Sequence, residues 1–173
     1  MPWAIALLVA LLCAPSAAWA ETPPVLEGTV VRIVDGDTIH IRLADRVEKV
    51  RYIGVNTPEL HHPRRGEEPG GRQARDVNRG LVEGQRVRLE VDVRSRDRYG
   101  RLLAYVWVGD TMVNAEMVRR GYAQVMTVPP NVRHQTLFLT LQREAREAGR
   151  GLWQQGSSVR GGGGVRPPVR SAR

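Results

Sequence analysis

Residues 29–53 read TVVRIVDGDTIHIRLADRVEKVRYI and decide the fold. Between two turns in this stretch, Ile39, Ile41 and Leu43 alternate with polar side chains, which is typical of a half-buried strand. Similar strand-forming composition lies on either side of the turns. The predicted strands cover residues 29–34, 38–43 and 47–53. The stretch therefore predicts a three-stranded meander.

Downstream of the meander, Pro58 stops the strand ladder, and residues 61–71 have the prolines, glycines and charges of an exposed loop. Helical spacing then predicts a helix over residues 72–82. Alternating side chains predict a strand over residues 87–93, and an apolar run predicts another over residues 102–108.

The last third of the domain is predicted to be helical. Asn114 is expected to cap a short helix over residues 115–120 that ends at Gly121. A longer helix is predicted over residues 132–148, with Trp153 packing back on the domain. Its apolar stripe is predicted to comprise Leu137, Leu141, Ala145 and Ala148.

The order of these elements is three strands, a helix, two strands and then helices. It predicts an α+β fold: a five-stranded Greek-key barrel of the OB type with about three helices. Such barrels often bind single-stranded nucleic acid on one face. Element order alone does not predict catalysis.

Residues 1–20 have no charged side chain, and their apolar run is followed by Ala18-Trp19-Ala20. This pattern predicts a signal peptide over residues 1–20 and an exported protein, either secreted or periplasmic. A membrane anchor is the alternative, but the run is shorter than the roughly 20 residues of a spanning helix, and Pro15 interrupts it. A lipid anchor on Cys13 is a weaker alternative, because Leu12 stands where a small residue is preferred.

The net charge of +8 lies wholly outside residues 1–20. It favours polyanionic partners without choosing among nucleic acid, anionic lipid and acidic glycans. The predicted domain covers residues 21–155 and has no cysteine, so packing rather than disulfides must stabilise it. Residues 156–173 are rich in Gly, Pro and Arg and predict a disordered basic tail.

Four short segments have polar groups suited to chemistry at a phosphate, and each also has a plain structural interpretation. Asp-Gly-Asp is a common hairpin turn, and Arg51 alternates like a solvated strand residue. Thr-Pro-Glu is an ordinary loop, and Tyr-Gly-Arg is an ordinary turn. The segments are DGDT over 35–38, Arg51, NTPE over 56–59 and RYGR over 98–101. His61 and His62 are interpreted as solvated, because adjacent loop histidines lack a third metal ligand.

In combination, with this order and spacing, these segments resemble the staphylococcal (micrococcal) nuclease family, also called thermonucleases. The resemblance runs from about Thr29 to Trp153 and is far more specific than any single motif. Other matching segments are HPRRG over 62–66, DRYGR over 97–101, LAY over 103–105 and MVN over 112–114.

The resemblance implies a calcium-dependent endonuclease that cuts DNA and RNA, leaving a 3′-phosphate and a free 5′-hydroxyl. The implied catalytic residues are Arg51, Glu59 and Arg101, with Glu59 acting on water and the arginines holding phosphate. The implied calcium ligands are Asp37, Asn56 and the carbonyl of Thr57. Arg98 and Tyr99 are the implied substrate-binding residues.

The sequence departs from the best-known family member at three positions. Asn56 replaces a ligating aspartate, which removes a negative charge. Thr127 and Pro129 replace two tyrosines that flank the nucleotide, so only Tyr99 remains as an aromatic platform. The expected partners are single-stranded DNA and RNA, bound by a monomer with no membrane span and no obligate protein partner.

Two other hypotheses remain open. One is a non-catalytic OB-fold module that binds single-stranded nucleic acid, although Arg51, Glu59 and Arg101 are all present. The other is an adhesion or scaffold domain that uses the basic tail.

Overall fold

The computed structural model describes residues 26–60 and 66–156. The predicted signal peptide, His61, His62 and nearly all of the predicted tail lie outside these residues. The strands are β1 (Leu26–Ile33), β2 (Thr38–Leu43), β3 (Arg46–Tyr52), β4 (Val55–Asn56), β5 (Arg86–Glu90), β6 (Leu102–Val108), β7 (Thr111–Met112) and β8 (Gln124–Val125). The helices are α1 (Gly71–Val82), α2 (Val113–Arg119) and α3 (Gln135–Glu147), followed by a short 3-10 helix over Gly151–Gly156.

Five of the strands form a closed barrel. The main sheet has the order β3-β2-β1-β5-β6-β7, and a parallel pairing of β3 with β6 joins its two sides. In that pairing Val50 lies opposite Leu102 and Arg51 opposite Leu103. The predicted α+β fold, a five-stranded OB-type barrel with three α-helices, is confirmed.

The alternation in β2 decides which face is inside. Ile39 and Ile41 are fully buried and Leu43 is nearly so, whereas His40 and Arg42 face outward. Their apolar neighbours from other strands, among them Val50 and Leu89, complete the core. Burial of this apolar surface is the main force that holds the barrel closed.

The strand predicted over residues 87–93 ends early, at Glu90. The Asp92 carboxylate accepts hydrogen bonds from the backbone N–H of Val93 at 3.0 Å and of Arg133 at 3.2 Å. It also accepts one from the Tyr105 hydroxyl at 3.1 Å. These bonds draw the chain out of the ladder and leave Val93 three-quarters exposed, although its alternation is strand-like.

The predicted role of Asn114 as a helix cap is wrong. Helix α2 begins at Val113, two residues before the predicted start, and the Asn114 side chain is fully buried between the helix and the barrel. Its amide donates to the Ile53 carbonyl at 2.9 Å and accepts from the Val106 N–H at 2.9 Å. Asn114 therefore satisfies buried backbone groups at the point where β3 and β6 part, and it does not cap the helix.

The predicted apolar stripe of α3 is correct only in part. The buried residues are Phe138, Leu141 and Ala145, whereas Leu137 is 42 % exposed and Ala148 is exposed. Phe138 closes one end of the barrel against Gly54, whose φ is +79°. A Cβ at Gly54 would lie 2.6 Å from the Phe138 ring, so only glycine fits this turn.

None of the helices in the described parts of the chain combines the length and the hydrophobicity of a membrane-spanning segment.

Candidate active site

The parallel pairing of β3 and β6 brings two arginines to one surface. Arg51 lies near the end of β3 opposite Leu103, and Arg101 lies two residues before Leu103. Because side chains two apart on an extended chain share a face, Arg51, Leu103 and Arg101 point to the same side. All three line one cavity.

Arg51 is buried, with 8 % of its surface exposed, so its interpretation as a solvated strand residue is excluded. Its Nη1 contacts the carbonyl oxygens of Tyr52 at 3.1 Å and Val55 at 2.9 Å, and Asp37 Oδ2 at 3.0 Å. Its Nη2 donates to Asn56 Oδ1 at 3.1 Å. Four acceptors on two nitrogens fix the plane of the guanidinium group.

Asp37 is buried at the start of β2, beside Arg51. Its Oδ2 accepts from the Thr57 N–H at 2.8 Å, and its Oδ1 accepts from the Thr38 hydroxyl at 3.0 Å. Burial raises the pKa of Asp37 to about 6, an effect that Arg51 opposes and Asp35 reinforces. Burial therefore disfavours the ionised form of the Asp37 carboxyl more than the neighbouring Arg51 favours it.

Asn78 makes polar contacts near Asp37 that the sequence analysis does not predict. Asn78 is fully buried on α1; it accepts from the Tyr52 hydroxyl and donates to the Asp35 carbonyl, both at 2.9 Å. Burial raises the pKa of Tyr52, so the hydroxyl stays a donor. The signal was present: Asn78 lies four residues after Ala74 and four before Val82, on the core face of the helix.

The turn over residues 97–101 orients Arg101. Asp97 accepts from Arg101 Nε at 2.6 Å and also from the backbone N–H groups of Tyr99 and Arg101. Burial opposes ionisation of Asp97, but the bonds from Arg101 outweigh it and lower its pKa. Tyr99 is 68 % exposed, and its ring lies beside the guanidinium groups of Arg98 at 4.7 Å and Arg101 at 5.5 Å.

The cavity over these residues has a volume of about 480 Å³. Arg51, Arg101, Arg98 and Tyr99 line it, which brings four of the eight sequence-predicted site residues together. Val128, Pro129 and Pro130 form an apolar wall of the cavity. Asn131 holds that wall by exchanging two 2.7 Å hydrogen bonds with the Arg94 backbone, another contact that the sequence did not reveal.

Glu59 is not among the residues that line the cavity. It lies exposed on the loop after β4, three residues from Asn56. Its backbone is tied to Glu68: its N–H donates to Glu68 Oε2 at 3.0 Å, and its carbonyl accepts from the Glu68 N–H at 2.8 Å. Asp37 and Asn56 instead contact the Arg51 guanidinium group, and Thr57 contacts Asp37.

Within the described residues, no group of three or more His, Cys, Asp or Glu side chains converges as a metal site. The oxygen atoms near Arg51 come instead from one aspartate, one asparagine and the backbone.

Comparison with known proteins agrees with this geometry. A family model described as staphylococcal nuclease homologue matches residues 49–155. A thermonuclease of Staphylococcus intermedius is 40 % identical over 126 residues, which cover 73 % of this chain and 75 % of that protein. The chain belongs to the staphylococcal nuclease family.

Other relatives of this nuclease have similar descriptions. A thermonuclease of Staphylococcus hyicus is 37 % identical over 124 residues, covering 72 % of the chain and 73 % of that protein. An endonuclease of Bacillus subtilis is 35 % identical over 133 residues, covering 76 % of the chain and 63 % of that protein. Family membership makes the chain a phosphodiesterase hydrolase that acts on nucleic acids.

Proposed function

We propose that this nuclease is an exported, calcium-dependent endonuclease that cleaves DNA and RNA to products with a 3′-phosphate and a free 5′-hydroxyl. The observation that carries the proposal is the pair of oriented arginines, Arg51 and Arg101, on one face of a cavity that also contains Tyr99. An arginine that was merely solvated would not be buried with four acceptors around its guanidinium group.

In this proposal Arg51 and Arg101 bind the reacting phosphate. Among the described residues, three acceptors contact Arg51 Nη1 and one contacts Nη2, and none contacts Nε. Nε and the second Nη2 hydrogen are thus the donors left for a phosphate oxygen. Because the oxygens of a phosphate gain charge as water attacks, fixed donors stabilise the transition state more than the ground state.

Glu59 orients or deprotonates the attacking water. Its exposure leaves the carboxylate accessible to water, and its backbone ties to Glu68 hold the loop that positions it. A carboxylate in this role must come within hydrogen-bond reach of the water that attacks the phosphate, and such catalytic contacts often tighten only when substrate is bound.

The residues around Arg51 fit calcium. Asp37, Asn56 and Thr57 offer oxygen atoms, the donors that this hard cation prefers. The raised pKa of the buried Asp37 carboxyl marks a site where a bound cation would stabilise the ionised form. When bound, calcium supplies positive charge that offsets the charge of the substrate phosphate.

Arg98 and Tyr99 bind the substrate at the rim of the cavity, where the Tyr99 ring is open to a base. The apolar wall of the cavity offers proline and valine in place of a second aromatic ring. Stacking there would otherwise contribute about 1 to 3 kcal/mol per base, so this wall favours weak base selection.

The calcium requirement is tested by titrating the rate of cleavage of denatured DNA against calcium for the wild type and for Asn56→Asp. The wild type is expected to cleave with calcium and to stop when a chelator is added. Asn56→Asp is expected to reach half-maximal activity at a lower calcium concentration, because a carboxylate adds negative charge beside Asp37.

Gln73→Glu, which adds a carboxylate at an exposed position of α1, is the matched control and should leave the half-maximal concentration unchanged. An unchanged or higher requirement in Asn56→Asp would exclude Asn56 from the metal shell. Cleavage by the wild type in the presence of chelator would show that the enzyme does not require calcium.

Export rests on the composition of residues 1–20 and on the small residues Ala18 and Ala20. The mature enzyme is proposed to begin at Glu21, to fold over residues 21–155 and to act as a monomer. N-terminal sequencing of the exported protein is expected to read from Glu21. A start at Met1, or a lipid on Cys13, would contradict this.

A further inference from the structure

A row of basic side chains crosses the outer face of the barrel. Arg32 on β1 lies directly opposite His40 on β2, and His40 lies opposite Lys49 on β3. Val50 is paired with Leu102, so Arg101, one residue before Leu102, lies level with Lys49 on the next strand. With neighbouring strands about 4.8 Å apart, the row from Arg32 to Arg101 is about 14 Å long.

All members of the row point away from the core. His40 lies between the fully buried Ile39 and Ile41, and Lys49 precedes the fully buried Val50. A β-bulge between Val30 and Arg32 keeps Arg32 in register with His40. The row is therefore a continuous outer surface.

Among the described residues, Arg101 is the only member of the row with an acidic partner, Asp97 at 2.6 Å. In the described part of the chain, neither Arg32 nor Lys49 forms an ion pair, whereas Arg86 pairs with Glu27 at 2.9 Å and Arg133 with Glu90 at 2.8 Å. Burial and then the charges of Arg32 and Lys49 lower the pKa of His40, which places the three groups within electrostatic reach of one another. Arg32 and Lys49 lie on either side of His40, two strands apart, so their positive charges remain available to a ligand of opposite sign.

From this surface we infer a second substrate-binding region: the backbone of a single-stranded nucleic acid lies across Arg32, His40 and Lys49 and leads into the cavity at Arg101. The inference rests on the proposed function and specifies where the nucleic-acid substrate runs outside the cleavage site. It assigns phosphate contacts to three residues with no role in the chemistry.

The surface fits a sugar–phosphate backbone better than it fits bases. Of the aromatic residues Phe, Tyr and Trp, strands β1 to β3 contain only Tyr52, which is buried. Without stacking platforms, binding here is electrostatic and independent of sequence. The exposed Val31 and Val47 offer only small apolar contacts.

The test compares Arg32→Gln/Lys49→Gln with the control Arg119→Gln/Arg143→Gln, which removes two exposed charges from α2 and α3. Cleavage of a long oligodeoxythymidylate and of a thymidine dinucleotide is measured over a range of salt. The row variant is expected to lose roughly tenfold in kcat/KM on the long strand at low salt, with kcat unchanged. Its slope of log kcat/KM against log salt should fall by about 1.4, since each single-strand phosphate contact contributes about 0.7.

On the dinucleotide, which is too short to span the row, the loss should shrink to about twofold or less. Equal kcat/KM of the row and control variants on the long strand would overturn the inference. Binding of each variant to phosphatidylserine vesicles is also measured. A row variant that loses vesicle binding but keeps wild-type cleavage would likewise overturn the inference. Failure of the wild type to cleave either substrate would instead overturn the proposed function. Circular dichroism of each variant checks that the barrel is folded.

Discussion

Arg51→Lys and Arg101→Lys are each expected to lower kcat by a factor of about 100 or more, the usual effect of losing one oriented donor to a developing anion. Lysine keeps the positive charge, so the buried Asp37 retains a neighbouring cation and folding should survive. A single ammonium group cannot reproduce the planar donor set that spans Val55, Asn56 and Asp37. Single-turnover cleavage of saturating denatured DNA measures this effect.

Arg88→Lys is the matched control, because Arg88 packs over the Trp107 ring on the outer barrel surface and does not line the cavity. It is expected to keep kcat within about twofold, in line with surface substitutions in general. If Arg51→Lys and Arg101→Lys also retained near wild-type kcat with calcium present, the two arginines would not be the phosphate-binding groups.

Glu59→Gln is expected to lower kcat by a factor of about 100 to 10,000, the range for removal of a general base. Binding of single-stranded DNA should change little, since the basic residues supply the non-specific attraction. The substitution keeps the shape of an exposed side chain, and the hydrogen bonds of the Glu59 backbone with Glu68 remain. Comparing kcat with the dissociation constant for labelled single-stranded DNA separates the two effects.

Glu67→Gln controls for loss of a carboxylate from the same loop, where Glu67 pairs with Arg72 at 2.8 Å. It should leave kcat unchanged. Equal losses of activity in Glu59→Gln and Glu67→Gln would point to the loop rather than to a base. Loss of DNA binding in Glu59→Gln alone would assign Glu59 to the substrate and not to the water.

Most of the fold could be predicted from the sequence because its strands follow local rules. The alternation in β2 and the turns around it identify the meander without knowledge of the rest of the chain. Local patterns give the wrong environment for Asn114 and Val93, because distant partners set that environment. The Ile53 carbonyl and the Arg133 loop decide what these positions do, and neither is close in sequence.

The proximity of Arg51 and Arg101 was implied only through the family resemblance, since fifty residues separate them. A parallel strand pairing brings them to one face, and no local pattern encodes it. The clamp between Asn131 and Arg94 and the support from Asn78 also join distant segments. Amphipathic spacing could have identified Asn78, but it gives no information about the partner.

The most direct test of the catalytic assignment is incubation of a circular single-stranded DNA with the protein and calcium. A circle has no ends, so only internal cleavage converts it to linear product. The circle is expected to be linearised, and the new termini should carry 5′-hydroxyls that polynucleotide kinase labels without prior phosphatase treatment. A circle that is bound but remains intact would contradict the account and favour a nucleic-acid-binding module.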